Sequence, residues 1–539
     1  MWLSPLQPVS LSRIEQCNRT HEQSMTDTSR IEVLPRGRQA GVCLHISSLP
    51  GPYGIGEIGL NARKFVDTMR DMQLGVWQFL PTGPTAYGDS PYQPLSIFAG
   101  NEMLIDIGEL IALGLLRQSE AAELAALPRD FVDYGALIPA RTRILQLAAS
   151  RFEGHADTTL KRARDEFVAE HDATWLRDYA LFRILKSQHG ERAWPDWQPQ
   201  YVHRDTQALR DIEESAAQRI ESIKTIQFLF HEQWQRLRDY ANQRGVRLFG
   251  DLPIYIALDS ADAWANPQIL SIDRDGRADH VAGVPPDYFS EDGQLWGNPL
   301  YAWQTHAEND YHWWVERLRA AAVLADIVRI DHFRGFESYW SVPAAADNAR
   351  QGSWEPGPGD AIFDAMQRAL GNLPIVAENL GVITPAVEAM RARHNIPGMI
   401  VLQFDVAEDD FELFSVADNS VCYTGTHDND TTIGWFRGSP GDIRVDHEIK
   451  RTQRAVLQLT GGSAETINTD LIRAAFSTAA RLAIAPLQDY LGLGSEARMN
   501  TPGTSSNNWR WRVRDEQLSI GLRAEVAKLV RDSGRALQN

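Results

Sequence analysis

Asp326-Ile327-Val328-Arg329-Ile330-Asp331 reads as a short strand that ends in a carboxylate. Its mostly apolar, β-branched run lacks an alternating polar face, which suits a strand buried on both sides, as in a parallel sheet. Seven more runs of this kind follow the same rule: GVCLHI (41–46), VWQFLP (76–81), VRLFGD (246–251), LPIVAE (373–378), MIVLQF (399–404), SVCYTG (420–425) and RLAIAPL (481–487). Helical patterns fill most of the gaps, at 61–73, 311–324, 360–370, 384–394, 448–459 and 471–481. Strands alternating with helices in this way predict an α/β fold, a (β/α)8 TIM barrel. The gap after the sixth run carries only a weak helical pattern, so that repeat is the least regular.

Two intervals are too long for one barrel helix. Residues 105–244 hold several amphipathic patterns, such as 119–127 and 173–187, and predict an inserted helical subdomain. Residues 257–303 are rich in Asp, Pro, Gly and aromatics and read as a long loop. Both follow strands, so both should project from the C-terminal face, where barrels of this kind carry their active sites. After Arg512 only one helical pattern remains, at 516–531, which leaves no room for a C-terminal β-sandwich domain. Residues 1–38 are polar and aperiodic, hold a second methionine at Met25, and read as a disordered extension, so the catalytic barrel is expected over 39–539.

Composition narrows the function. The 539 residues carry 53 Lys and Arg against 71 Asp and Glu, a net charge of −18. A phosphate-neutralising surface or a polybasic membrane anchor needs clustered cations, and no such run exists, so neither nucleic acid nor membrane is an expected partner. No apolar stretch approaches the roughly 18 residues of a membrane span, and the N-terminus lacks a basic-then-apolar leader. Cys17, Cys43 and Cys422 are too few and too irregularly spaced for a disulfide framework or a structural zinc site. A reducing cytoplasm is the expected location.

The chemistry gathers at strand ends. In the fourth run the two-residue period puts Arg329 and Asp331 on one inward face, and a cation beside a carboxylate favours the ionised form that a nucleophile requires. Alone, the pair could be structural. The fifth run, however, ends in Glu378-Asn379, and the seventh leads into Thr424-Gly425-Thr426-His427-Asp428. Three acids on one rim suit retaining glycoside chemistry, in which a nucleophilic carboxylate and an acid/base carboxyl stand roughly 5–5.5 Å apart. Aromatic residues punctuate the presumed rim loops at Tyr87, Tyr92, Trp264, Tyr288, Phe289, Trp296, Tyr301 and Trp303. Interleaved with Asp, Asn and Gly, they suit sugar rings, which have an apolar face and a polar edge. Trp264 and Trp303 are expected instead to pack the long loop to itself, whereas Tyr92 and Tyr288 are the better glucan contacts.

Longer motifs then recur in one order: SSLPGPYGIGEIG (47–59), GPTAYGDSPYQPLSIFAGN (83–101), FGDLPIYIALDSADAWANP (249–267), VAGVPPDYFSEDGQLWGNPLY (281–301), VRIDHFRG (328–335), VAENLG (376–381), GTHDNDT (425–431) and LGLGSEARMNTPGT (491–504). With these the chain closely resembles the 4-α-glucanotransferases called amylomaltase or disproportionating enzyme, in glycoside hydrolase family 77 and related to the α-amylase clan. The resemblance implies Asp331 as nucleophile, Glu378 as general acid and then base, and Asp428 as the carboxylate that fixes the sugar and supports the transition state. It implies that Arg329 holds Asp331, that His332 and His427 contact sugar hydroxyls at the scissile bond, and that Asp251 lies near the donor sugar. Tyr87, Ser90 and Tyr92 match the family's glucan-contacting loop. The segment from Tyr288 and Phe289 to Trp296 matches a flexible loop that covers bound glucan.

The expected activity is retaining transfer of an α-1,4-glucan segment, held as a glycosyl ester on Asp331, to the 4-hydroxyl of an acceptor. The partners are then α-1,4-glucans such as maltooligosaccharides and amylose, with the protein a monomer or weak homo-oligomer. Protons and carboxylates suffice, so no cofactor and no metal are expected. Three rival readings share parts of this pattern. An α-amylase-type hydrolase would share the three acids, but the motifs and the missing β-domain favour transfer. In a metal-dependent barrel the acids would be ligands, which Arg329 opposes and for which no His pair has the spacing. A catalytically dead glucan-binding module would be expected to have lost an acid, and none is missing.

Overall fold

The computed structural model describes residues 33–34, 37–85, 87–286, 291–408, 411–439, 442, 444–504 and 506–537. The expectation of a disordered extension falls almost wholly on residues 1–32, which lie outside the described residues. Eight parallel strands form at the eight apolar runs: β1 (Gln39–Cys43), β2 (Val76–Gln78), β3 (Arg247–Leu252), β4 (Ile327–Ile330), β5 (Ile375–Ala377), β6 (Gly398–Val401), β7 (Ser420–Tyr423) and β8 (Leu482–Pro486). Their spatial order is β6-β7-β8-β1-β2-β3-β4-β5, the sequential order of a (β/α)8 barrel. The seam between β5 and β6 closes differently from the other seven. There the N–H of Ala377 donates to Pro397 O at 2.8 Å, and the Asn379 side-chain oxygen accepts the N–H of Met399 at 2.7 Å. Asn379, the neighbour of Glu378, thus stands in for a missing rung.

The strands are buried on both faces, and the two-residue period sorts them. Ile327, Val376, Phe249, Met399, Val421, Tyr423, Leu482 and Ile484 fill the barrel interior. Their neighbours Val328, Ile330, Ala377, Leu248, Cys422 and Ala483 face the surrounding helices. Each fully buried Val, Leu, Ile or Phe contributes about 1.5–3 kcal/mol. A one-residue slip would exchange the two sets and lose that fit. Continuing the inner rows upward gives Ile327-Arg329-Asp331, Phe249-Asp251 and Val376-Glu378, so the interior carries apolar residues below and charged ones at its C-terminal mouth.

Between β2 and β3 the chain is helical, with its longest helices at Tyr134–His155 and Ala217–Gln243. A second core, built from Phe182, Trp194, Trp197, Leu209 and Trp264, serves the later of the helices between β2 and β3, from Arg177 on. The last of them packs directly on the barrel: Trp234 meets Phe79 edge-on at 5.1 Å and donates from Nε1 to Leu324 O at 2.9 Å. A buried ion pair joins helix Tyr134–His155 to the loop after β1, with Arg141 Nη2 2.6 Å from Glu57 Oε1.

The interval 257–303, expected as a loop, contains two strands. His280–Val284 and Gln294–Pro299 pair antiparallel with each other, and Ser338–Pro343 and Ser353–Pro356 extend the sheet to four strands. These strands are short and interrupted by Gly283 and Gly297, and their partner at Ser338–Pro343 follows β4, so no local pattern announces them. Where the pattern after the sixth run is weak, the described residues between β6 and β7 hold only the short turns Leu402–Asp405 and Leu413–Ser415. Among the described residues no strand follows β8, and no helix is long and apolar enough to cross a membrane. Cys43 and Cys422 are buried, free thiols on β1 and β7, with β8 between them.

Candidate active site

Asp251 on β3 and Arg329 on β4 are register partners, so both side chains rise from the same level of the barrel interior. Arg329 donates from Nη1 to Asp251 Oδ2 at 2.6 Å and from Nη2 to Asp331 Oδ1 at 2.7 Å. One buried guanidinium therefore spans two carboxylates of unequal exposure: the Asp251 side chain is 0% exposed and that of Asp331 31%. The two acids hold the Arg329 guanidinium firmly charged against its burial. Burial pushes the Asp251 carboxyl up, with Arg329 opposing. Tyr92 donates its hydroxyl to Asp251 Oδ2 at 2.7 Å, whereas Asp251 Oδ1 is buried without a partner. A buried carboxylate oxygen with no donor is costly unless a ligand supplies one.

Glu378 stands at the end of β5. Its Oε2 accepts the N–H of His332 at 2.7 Å and its Oε1 accepts the N–H of Leu380 at 2.8 Å. Burial, then the neighbouring Asp331 charge, pushes the Glu378 carboxyl up to about 7, while Arg329 and the two N–H donors pull it down. The carboxyl can therefore exist in either protonation state near neutral pH. His332 adopts a left-handed backbone with φ 52°. For a non-glycine residue that costs about 1–2 kcal/mol, and it turns the chain from β4 into the short turn Phe333–Phe336 with the His332 N–H facing Glu378. Burial lowers the His332 imidazole to about 4, so the ring is neutral, and its buried Nε2 has no partner. Trp296 approaches the same ring edge-on at 4.9 Å.

Asp428 lies in the loop after β7, its side chain 46% exposed. Asn500 Nδ2 donates to Asp428 Oδ1 at 2.6 Å, and His427 Nε2 stands 3.4 Å from Asp428 Oδ2. Arg498 clamps the backbone, donating to Asp428 O and to Asn500 O, both at 2.7 Å. Tyr92 stacks on His427 with ring centroids 5.0 Å apart and 15° between planes, and Trp509 borders both rings.

The structure thus gathers Asp331, Glu378, Asp428, Arg329, His332, His427, Asp251, Tyr92 and Trp296 into one mouth. Ser90 supports the Tyr92 loop, its Oγ accepting the Tyr92 N–H at 3.2 Å. Tyr87 lies in the short turn Tyr87–Asp89, and Tyr288 and Phe289 lie outside the described residues. Trp264, expected to pack the long loop to itself, is instead fully buried against Phe182 and Trp197 of the inserted helical segment, and Trp303 packs against Tyr301 and Trp314. Tyr301, counted with the rim aromatics, is instead a core residue whose hydroxyl donates to Ile254 O at 2.8 Å. Asn379, Asn500 and Trp509 were not singled out from sequence. The first two stand inside the VAENLG and MNTPG motifs, but nothing local shows which acid an amide will reach. Among the described residues no group of three His, Cys, Asp or Glu could hold a metal ion.

A family model described as 4-alpha-glucanotransferase matches residues 44–518, most of the chain. The chain belongs to this family. A 4-alpha-glucanotransferase of Synechocystis is 44% identical over 506 residues, covering 93% of this chain and 98% of that one. One from Thermus thermophilus is 43% identical over 491 residues, covering 89% and 96%. An amylomaltase from Streptococcus agalactiae, solved with acarbose, superposes with a TM-score of 0.87 at 34% identity, covering 93% of this chain and all of that one. The barrel and the 4-alpha-glucanotransferase activity of the family are therefore those of this chain.

Proposed function

We propose that the mouth of the barrel transfers α-1,4-glucan segments by double displacement, with Asp331 as nucleophile, Glu378 as acid and then base, and Asp428 as transition-state support. The carrying observation is that Glu378 is held by the N–H of His332, the residue that follows Asp331, while Arg329 grips Asp331 from the other side. In the first step Asp331 attacks the anomeric carbon. The glycosidic oxygen leaves with the proton of Glu378, and a glycosyl ester forms. In the second step Glu378, now a carboxylate, takes the proton from the 4-hydroxyl of an acceptor glucan as that oxygen displaces Asp331. A carboxyl poised near 7 serves both halves of such a cycle.

The remaining residues fit substrate contacts. Asp251 Oδ1 and His332 Nε2 are buried without partners, which suits them to sugar hydroxyls, and neutral His332 can donate without adding charge. Tyr87, Ser90 and Tyr92 suit a loop that contacts the glucan, and Trp296 offers an aromatic face beside His332. His427 and Asp428 would hold hydroxyls of the sugar being cleaved. The free, buried thiols fit a reducing compartment, and we assign the enzyme to the cytoplasm on that ground. Incubation with maltotriose tests the reading: glucose plus maltodextrins longer than the substrate are expected, and products that are all shorter would mean hydrolysis.

A further inference from the structure

Two amides outside the reacting groups join two parts of the site that lie 205 residues apart in sequence. Gln93 Nε2 donates to Asn298 Oδ1 at 3.1 Å, and Asn298 Nδ2 returns a bond to Gln93 Oε1 at 3.4 Å. Asn298 is buried, and its Nδ2 also donates to Ile256 O at 2.9 Å, so its amide hydrogens are both used and its oxygen is satisfied. Each amide precedes a proline, Pro94 and Pro299, which holds the residue before it in extended backbone. Gly297, with φ 76°, supplies the left-handed turn that brings Asn298 round. Both ends of the pair are thus preset by local chemistry.

The position gives the pair its consequence. Gln93 directly follows Tyr92, which reaches the centre through Asp251 and His427. Asn298 is two residues from Trp296, which reaches it through His332. Fixing Gln93 to Asn298 therefore fixes Tyr92 relative to Trp296 across the reacting carbon. We propose that Gln93 and Asn298 act as a clasp of positioning residues that sets how the glycosyl ester is shared between a sugar acceptor and water. This rests on the assignment of Asp331 as nucleophile. When the ester opens, the bond from C1 to Asp331 breaks, and C1 bonds the oxygen of either a glucan 4-hydroxyl or water, whose proton goes to Glu378. Water is present at roughly 55 M, so a dilute acceptor prevails only where the site orients it, and a slackened wall costs the acceptor more than it costs water.

Transfer conserves reducing ends and hydrolysis adds them, so one maltotriose digest reports both. Gln93→Leu and Asn298→Leu are each expected to raise the hydrolysis-to-transfer ratio by about two- to tenfold, the range of one hydrogen bond. The double variant should exceed neither single by much, because each single already opens the clasp. The acceptor KM for glucose should rise, while ester formation from an α-maltosyl fluoride falls by less. Should Asn298→Leu fail to fold for want of its bond to Ile256, Gln93→Glu keeps the shape, removes the N–H given to Asn298, and is read the same way. Ratios equal to wild type in the folded variants, or effects that multiply in the double variant, would overturn the clasp. If the wild-type protein formed no ester on Asp331 with the fluoride, the nucleophile assignment would fail instead, whatever the variants did.

Discussion

The Oε2 atom of Glu378 accepts the backbone N–H of His332 at 2.7 Å, so the carboxyl that follows β5 is held by the peptide immediately after Asp331 at the end of β4. A second backbone donor, Leu380, takes Oε1, and the left-handed turn at His332 presents the first. Backbone N–H groups cannot swing as side chains do. The separation of the Asp331 and Glu378 carboxyls is therefore set by the framework of two adjacent strands, and the strain at His332 is part of that setting.

Asp331→Asn should reduce donor cleavage by on the order of 10⁴-fold or more while leaving maltooligosaccharide affinity within a few fold, because the amide keeps the shape but cannot form the ester. Calorimetric titration and a maltotriose assay on the same preparation decide it. Cleavage near the wild-type rate would remove Asp331 from the mechanism.

Glu378 titrates near 7 in the folded protein, so cleavage of maltotriose should decline as pH rises through about 7 and the acid loses its proton. Ester formation from a glycosyl fluoride, which needs no acid, should lack that alkaline limb, and the Glu378→Gln variant should still form the ester from the fluoride. The same raised pKa acts on stability. An unfolded Glu ionises more readily than the folded one, so folding loses free energy as pH climbs from about 4.5 to 7 and stays lower above that, by up to about 3 kcal/mol. Glu378→Gln should therefore gain on wild type in melting temperature between pH 4.5 and pH 8. A constant difference across that range would contradict the raised pKa.

Asn500→Ala removes the 2.6 Å donor to Asp428 and should lower kcat by about 10- to 100-fold, the worth of a hydrogen bond to a charged group. Asn500→Asp, which sets a second negative charge against Asp428, should be slower still. Steady-state kinetics with maltotriose, together with thermal melts to confirm folding, would show it. Equal rates in all three proteins would mean that Asp428 needs no such support.

Arg141→Met leaves Glu57 as an unpaired buried acid and strips donors from Tyr53 O and Ile105 O. The expected loss is about 3–5 kcal/mol, read as a shift of the urea midpoint. Adding Glu57→Leu should restore part of it. A single variant as stable as wild type would show that the helical segment is joined to the barrel by other contacts.

The barrel is legible in the sequence because its signal is local. Each buried parallel strand needs several apolar residues in a row, and each of the eight runs supplies them, so the strands fall where the runs predict. The three acids were legible for a related reason: a strand end marks the barrel mouth, and the two-residue period that points Ile327 inward also points Arg329 and Asp331 there. Family motifs then attached roles to positions that periodicity could only place on a rim.

What the amino-acid order determined by itself was thus the set of strands, the face each charge occupies and the composition of the mouth. Only the tertiary structure decided which groups touch: that Arg329 bridges Asp251 and Asp331, that Asn379 closes the seam, that Asn500 serves Asp428, and that Gln93 meets Asn298. The small antiparallel sheet belongs with these, since His280–Val284 finds a partner at Ser338–Pro343 only after the barrel has carried β4 past it. The physical reason is range. Burial of an apolar run is a property of neighbouring residues, but a hydrogen bond has a length near 3 Å and a direction, and whether two side chains 72 or 205 residues apart satisfy them depends on where the whole chain has been folded.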